Sequence, residues 1–214
     1  MMRLLYPPKC ALCDRVLERE ELDLCAQCRI NQPDAGDPRT RYPHLAKVIC
    51  LWYYKERVRL AIHGLKFHRN TGKAAPLGRL LAAKLDTEGA EFDVLSYVPI
   101  STPRLLQRSY DQSRLLTRRV GKELGRPVKR VLVKTRHNRQ QSLLTKISER
   151  KANVSGVYRC PDPAFVRGKR ILLIDDILTT GATAGECARV LLEAGAKEVI
   201  LGVVAIAQNS KNCR

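Results

Sequence analysis

Aromatic residues are scarce in this chain: one Trp, three Phe and seven Tyr, 5% of 214 residues. A stacking platform for single-stranded nucleic acid interleaves aromatics with basic side chains, and between Ser101 and Lys151 only Tyr110 does so. No apolar run approaches the roughly 18 residues of a membrane span, so membrane insertion is not expected. The opening "MMRLLYPPKCALC" has too short an apolar patch for a signal peptide, and a cytoplasmic location is expected. In that compartment the eight cysteines are thiols or metal ligands more often than disulfides. Two phosphate-binding fingerprints are missing, G-x-x-x-x-G-K-[ST] and G-x-G-x-x-G. There is no internal repeat, no low-complexity tract and no helix-turn-helix pattern ahead of Ile171.

Acidic residues are also in short supply, 21 against 39 Lys and Arg, a formal charge of +18. The imbalance is concentrated. Ser101 to Lys151 holds 15 basic and 3 acidic residues, a net +12. Such a block attracts polyanions: nucleic acid through its phosphates, or a small polyphosphate. A solvated basic face is the plain alternative.

What is present divides into two parts, residues 1–40 and 41–214. The first is rich in Cys and Pro and ends in "NQPDAGDPRTRYPH", which reads as a linker because Pro, Gly and Asp interrupt any period. From Lys47 onward strands and helices alternate. "VICLWYY", "DVLSYVPI", "KRVLVKT", "RILLI" and "EVILGVVAIA" read as strands. "VRLAIHGLKF", "APLGRLLAAKL", "YDQSRLLTRRVGKEL" and "AGECARVLLEA" read as helices, the last two closed by Gly125 and Gly195. Apolar strands alternating with amphipathic helices predict an α/β fold with a parallel sheet covered on both faces. Ligands of such sheets bind at the carboxyl ends of strands. The polar segment from Arg136 to Cys160 reads as a long coil, the kind that serves as a lid or binding loop.

"CALC" at Cys10–Cys13 and "CAQC" at Cys25–Cys28 form two C-x-x-C knuckles. Each can present two thiolates to one tetrahedral ion, and four sulfurs leave no open position, so the expected site is structural zinc. Two disulfides or a redox pair are the alternatives. A segment this small buries little core, and metal binding would supply most of its folding energy. Cys50, Cys160, Cys187 and Cys213 lack such spacing and read as small apolar residues or surface thiols.

"ILLIDDILTTGAT", Ile171 to Thr183, sets two carboxylates at the end of the most hydrophobic strand of a basic chain. The loop Thr179-Thr180-Gly181-Ala182-Thr183 then enters a helix. A helix N-terminus behind small residues offers backbone amides, and threonines add hydroxyls, which suits one phosphate monoester. Asp175 and Asp176, at the other edge of the loop, can accept hydrogen bonds from neutral hydroxyls. Hydroxyls flanked by a phosphate describe a ribose 5-phosphate.

This string resembles the phosphoribosyl-pyrophosphate (PRPP) signature of type I phosphoribosyltransferases. The whole chain is similar to the ComF family, the competence-associated phosphoribosyltransferase-like proteins. The two knuckles, "GLKF" around Lys66, "VPISTPRLLQRSYDQ", "RHNRQQSLL…ERKANVSG", the signature and "LLEAGAKEV" carry the likeness. Where the family has R-G-F-N-Q, this chain has Arg108-Ser109-Tyr110-Asp111-Gln112. The resemblance implies a type I phosphoribosyltransferase sheet behind a small N-terminal four-cysteine zinc domain. It implies that Asp175 and Asp176 hold the ribose hydroxyls and that Thr179 to Thr183 cradle the 5-phosphate. The turn Pro99–Ser101, with Arg104 and Arg108, would face the pyrophosphate, with Mg²⁺ bridging. The catalytic set would be Asp175, Asp176, Arg104 and Arg108, with Lys66, Arg136, Arg139 and Gln141 as lid or anion-binding residues. Pentosyl transfer to an acceptor is one reading. A ligand sensor or scaffold within DNA uptake and natural transformation, touching DNA or a partner helicase, is a second. A DNA-binding regulator is a third.

Overall fold

A computed structural model describes residues 7–35, 41–67, 71–136 and 153–207. Its frame is a four-stranded parallel sheet. The strands are β1 (Lys47–Tyr53), β2 (Val94–Tyr97), β5 (Arg170–Leu178) and β6 (Glu198–Ile206), in the order β1-β6-β5-β2. Between β1 and β2 come helices α2 (Glu56–Phe67) and α3 (Ala74–Thr87), and after β2 come α4 (Thr102–Arg108) and α5 (Gln112–Glu123). A two-stranded antiparallel piece, β3 (Val133–Lys134) with β4 (Tyr158–Arg159), and a short α6 (Pro163–Val166) precede β5. Helix α7 (Ala182–Glu193) joins β5 to β6, and α1 (Ala26–Ile30) lies in the cysteine segment. No helix among the described residues is long and apolar enough to cross a membrane.

Period-two alternation sorts the strand side chains between two cores. Leu172, Ile174 and Ile200 face a cluster with Leu65, Leu77, Leu81 and Leu116 of α2, α3 and α5. Ile171, Leu173, Val199 and Leu201 face the other, with Cys187 and Leu191 of α7. Each such Leu or Ile contributes about 1.5–3 kcal/mol when fully removed from water, so this double burial is what holds the strands in register.

Three sequence expectations change. The strand expected to stop at the acids runs on to Leu178, because β6 keeps pairing beside it: Asp175 opposite Val203, Ile177 opposite Ala205, Leu178 opposite Ile206. "KRVLVKT" is not one continuous strand. Val128 makes a single bridge to Leu95, the Lys129 amide donates to the Leu95 carbonyl, and only Val133–Lys134 enters a ladder. The expected coil from Arg136 to Cys160 ends in β4, paired back on β3.

The cysteine segment is built into the frame. Cys10, Leu12, Leu17, Leu24, Cys25 and Cys28 share one hydrophobic cluster with Trp52, Val58 and Ile62. Asp23, 5% exposed, takes a forked bond from Arg79 of α3. Lys73, equally buried, donates to the Ala11 carbonyl at 3.1 Å and pairs with Asp14 at 2.8 Å. The stretch that reads as a linker is packed at both described ends. Asp34 bridges to Trp52, and Tyr42 packs under the loop that precedes α7.

Candidate active site and metal centre

A cleft of about 580 Å³ opens at the carboxyl ends of β5 and β2. Its floor is the segment Asp175 to Ala184. Gly181 turns the chain into α7 with φ +77°, and a Cβ there would collide with the Tyr42 ring. No side chain caps this helix start, so its first amides keep the donors that a helix N-terminus leaves unsatisfied. Thr179, Thr180 and Thr183 line the same wall. Gly181→Ala is expected to cost about 2–4 kcal/mol, combining left-handed backbone strain with overpacking. Thermal unfolding of the variant checks this; an unchanged midpoint would mean that Tyr42 swings aside and the strain is small.

Because β5 continues through the acids, their side chains leave on opposite faces of the sheet. Asp176 is 3% exposed. Its Oδ1 lies 3.0 Å from the Lys66 ammonium at the end of α2, and its Oδ2 is buried with no hydrogen-bond partner among the described residues. Asp175 Oδ1 accepts from the Ser113 hydroxyl at 2.7 Å and from the Asp176 amide at 2.9 Å. Burial, and then the neighbouring Asp176 charge, push Asp175 up to about 7. A buried carboxylate oxygen without a donor costs free energy, and the strand end therefore favours a ligand that brings donors or a cation.

The opposite wall comes from the segment after β2. The Val98 amide donates to the Ile174 carbonyl at 3.1 Å, and the Ile100 amide to Asp111 Oδ2 at 3.2 Å. Asp111 also caps α5, its Oδ1 accepting from the Arg114 amide at 3.1 Å, and burial raises its pKa. Ser109 adopts φ +67°, the left-handed region that glycine enters freely, at a cost of about 1–2 kcal/mol for a side chain. The Tyr110 hydroxyl donates to the Leu65 carbonyl, tying this turn to α2. The three residues at which the chain departs from R-G-F-N-Q thus form the joint between α4, α5 and α2.

Lys66, Pro99, Arg104, Arg108, Asp175, Asp176 and Thr179 to Thr183 all line the cleft, Gly181 and Ala182 included. Ser101 does not; it is buried at the N-cap position of α4. Arg136 is exposed outside the cleft and donates to the Ser155 carbonyl at 2.8 Å. Arg139 and Gln141 lie outside the described residues. The cleft adds residues that sequence reasoning passed over: Tyr54, His63, Gln112, Lys134 and Tyr158. Lys134 carried no local signal, because it enters the cleft from the antiparallel β3–β4 pair and not from the parallel sheet.

At the N-terminal side the sulfurs of Cys10, Cys13, Cys25 and Cys28 all lie within 4.8 Å of one another, with only Cys13 exposed. Zinc with 2.3 Å bonds sets tetrahedral sulfurs about 3.8 Å apart, and Cys13 and Cys25 are 3.7 Å apart. Burial pushes the Cys28 thiol up to about 12, although the Arg57 guanidinium donates to its sulfur at 3.3 Å. At Cys25 burial is outweighed by the Cys28 amide and Arg15, and the pKa falls to about 6. Four clustered sulfurs resist joint ionisation until a dication neutralises them, so the donor set, spacing and burial fit a closed structural zinc site. Cys50, Cys160 and Cys187 are buried thiols outside this cluster.

Two family models match separate stretches of the chain. Residues 111–213 match the phosphoribosyl transferase domain and residues 1–39 the double zinc ribbon domain. The chain is 30% identical over 208 residues to the DNA utilization protein YhgH of Salmonella typhi, covering 89% of this chain and 86% of that protein. It is 24% identical over 171 residues to competence protein F of Haemophilus influenzae, covering 77% and 74%. Among solved structures, a glutamine phosphoribosylpyrophosphate amidotransferase from B. subtilis overlays 63% of this chain and 26% of its own, at 25% identity and a TM-score of 0.43.

Proposed function

The chain belongs to the ComF family, and on that premise we propose that its cleft binds phosphoribosyl pyrophosphate with Mg²⁺ and supports pentosyl transfer. The observation that carries the reading is one cleft combining an uncapped helix N-terminus, two carboxylates and two arginines. The amides and threonines at 179–183 suit the 5-phosphate. Asp175 and Asp176 suit the ribose hydroxyls, and the orphaned Asp176 oxygen fits a donor or a cation. Pro99, Arg104 and Arg108 suit the pyrophosphate. Lys66 starts on Asp176 and exchanges that partner for the ligand's anion. Asp176, with its bare oxygen, is the residue that would hold Mg²⁺, which would supply a counter-charge to the leaving pyrophosphate. The C1–oxygen bond breaks with its electron pair going to pyrophosphate while a nucleophilic atom of the acceptor bonds to C1, and the arginines stabilise the leaving group's charge as it forms. Calorimetric titration with PRPP and Mg²⁺ tests the reading; a folded protein that takes up none at millimolar ligand would reject it.

A second reading, DNA handling, has its own observation. Arg114, Arg118 and Lys122 are exposed at four-residue intervals along α5, with Arg126, Lys129 and Arg130 exposed beyond. Four-residue spacing keeps charges on one helix face, a basic stripe suited to phosphates. The relatives' names, DNA utilization and competence, point to the same partner, and the resemblance adds a helicase. Binding to duplex DNA is expected to be sequence-independent, with a log–log salt slope of about −0.9 per phosphate contacted. Replacing Arg114, Arg118 and Lys122 by Ala should flatten that slope by up to about 2.7. A salt-insensitive complex would count against the stripe.

A further inference from the structure

Lys134 is absent from the ribose-phosphate signature and from the arginine turn, yet its side chain sits between them. It ends β3 and lines the cleft, with its ammonium 5.2 Å from the centre of the Tyr158 ring on the paired strand β4. The groups facing it come from four elements: Arg104 of α4, Asp175 of β5, Cys187 of α7 and Tyr158 of β4. Arg104 is in turn opposed by Arg108. Three cations therefore crowd one wall of a half-enclosed cleft. Like charges held together away from water cost free energy, and a polyanion seated among them relieves it.

We propose that Lys134 is a proton-loaded anion clamp: it takes up a proton as the pyrophosphate group docks, so that its contribution to anion affinity is tuned by pH. The inference deepens the proposed PRPP reading and rests on it for the identity of the anion.

Burial, followed by the Arg104 charge, lowers Lys134 to about 8 in the free cleft. Burial lowers the Arg104 pKa too, with Arg108 adding to it, but a guanidinium stays protonated at working pH. Lys134 alone of the three gains or loses its proton near neutrality. An anion beside the ammonium raises its pKa again. At Lys134 the bound state holds more protons than the free state above about pH 8, so this side chain's contribution to affinity falls as pH rises there and is flat below. A cation on β3 that charges on demand avoids holding a third full charge beside Arg104 while the cleft is empty.

The test uses inorganic pyrophosphate with Mg²⁺, titrated calorimetrically into the full zinc-loaded chain in two buffers of different ionisation heat. Comparison is with Lys134→Met and Lys134→Arg. Wild type at pH 8 is expected to take up about half a proton more than Lys134→Arg, whose cation is permanent. The affinity ratio of wild type to Lys134→Arg should fall by up to about tenfold per unit above pH 8. Lys134→Met should bind about ten- to a hundredfold more weakly than wild type at pH 7. Equal proton uptake in wild type and Lys134→Arg, or an unweakened Lys134→Met, overturns the clamp. If PRPP still binds in that case, the PRPP reading stands and only the role of Lys134 falls. If neither pyrophosphate nor PRPP binds the folded wild type, both fall together.

Discussion

Replacing both Asp175 and Asp176 by Ala is expected to lower affinity for PRPP with Mg²⁺ by one to three orders of magnitude. Hydrogen bonds to charged groups are worth about 1.5–3 kcal/mol, and about 1.4 kcal/mol is tenfold. The two positions should not contribute alike. Asp175 is already satisfied by Ser113 and its own strand, so its removal frees a serine hydroxyl that water can meet. Asp176 holds Lys66 and has a bare oxygen, so its loss strands a lysine and deletes the acceptor most in need of a donor. Asp176→Asn, which keeps the volume and removes the charge, is the cleaner single variant, and it should show most of the double variant's loss. Thr179→Ala and Thr183→Ala should cost less, because the helix amides stay in place. Titration of each variant with Mg²⁺ present decides the matter. Equal affinities for wild type and double variant would make the signature a remnant of ancestry.

Stripping zinc should have a larger structural effect than the two-part sequence reading suggests. Structural zinc supplies about 10–16 kcal/mol of binding free energy in isolated fingers. Here the metal segment also buries Leu12, Leu17 and Leu24 against Trp52, Val58 and Ile62. It gives Lys73 and Arg79 their partners in Asp14 and Asp23. Its release exposes the outer side of α2 and α3. A net loss of about 5 kcal/mol would lower the unfolding midpoint by roughly 10–20 °C in a chain of this size. Calorimetry of zinc-loaded and chelated protein, with Cys25→Ser as a control that needs no chelator, is the measurement. One cooperative transition shifted downward is expected. A chelated protein whose main transition does not move would show that the two halves fold independently.

How much of this was legible in the sequence depended on distance along the chain. The four cysteines, the strand–acid–loop–helix string and the amphipathic α5 are local patterns, and each stands where its spacing puts it. The long-range features left no such trace. Whether "RILLI" stops at the acids or runs through them is decided by β6, more than twenty residues further on. Lys134 reaches the cleft because β3 pairs with β4 across a long excursion. Lys73 and Arg79 carry no mark showing that their partners are Asp14 and Asp23. Ser109 stands where the family has glycine, and its left-handed backbone shows that the glycine conformation is kept at a modest energetic cost. Asp111 stands where the family has asparagine, and it spends both oxygens on backbone amides.

Helix α2 has a fixed gauge. Near its start Arg57 touches the Cys28 sulfur, and near its end Lys66 holds Asp176. Nine residues separate them, about 13.5 Å of rise and two and a half turns, so the two side chains project on opposite sides of the rod. One residue added between them would rotate Lys66 by about 100° and advance it about 1.5 Å, taking it off its carboxylate if Arg57 stays on its sulfur. Substitutions on the outer face of this helix, at the exposed Leu60 for instance, leave that gauge untouched. Insertions and deletions do not, and the interval from 57 to 66 is therefore a ruler whose length, more than its composition, keeps the metal and the cleft in step.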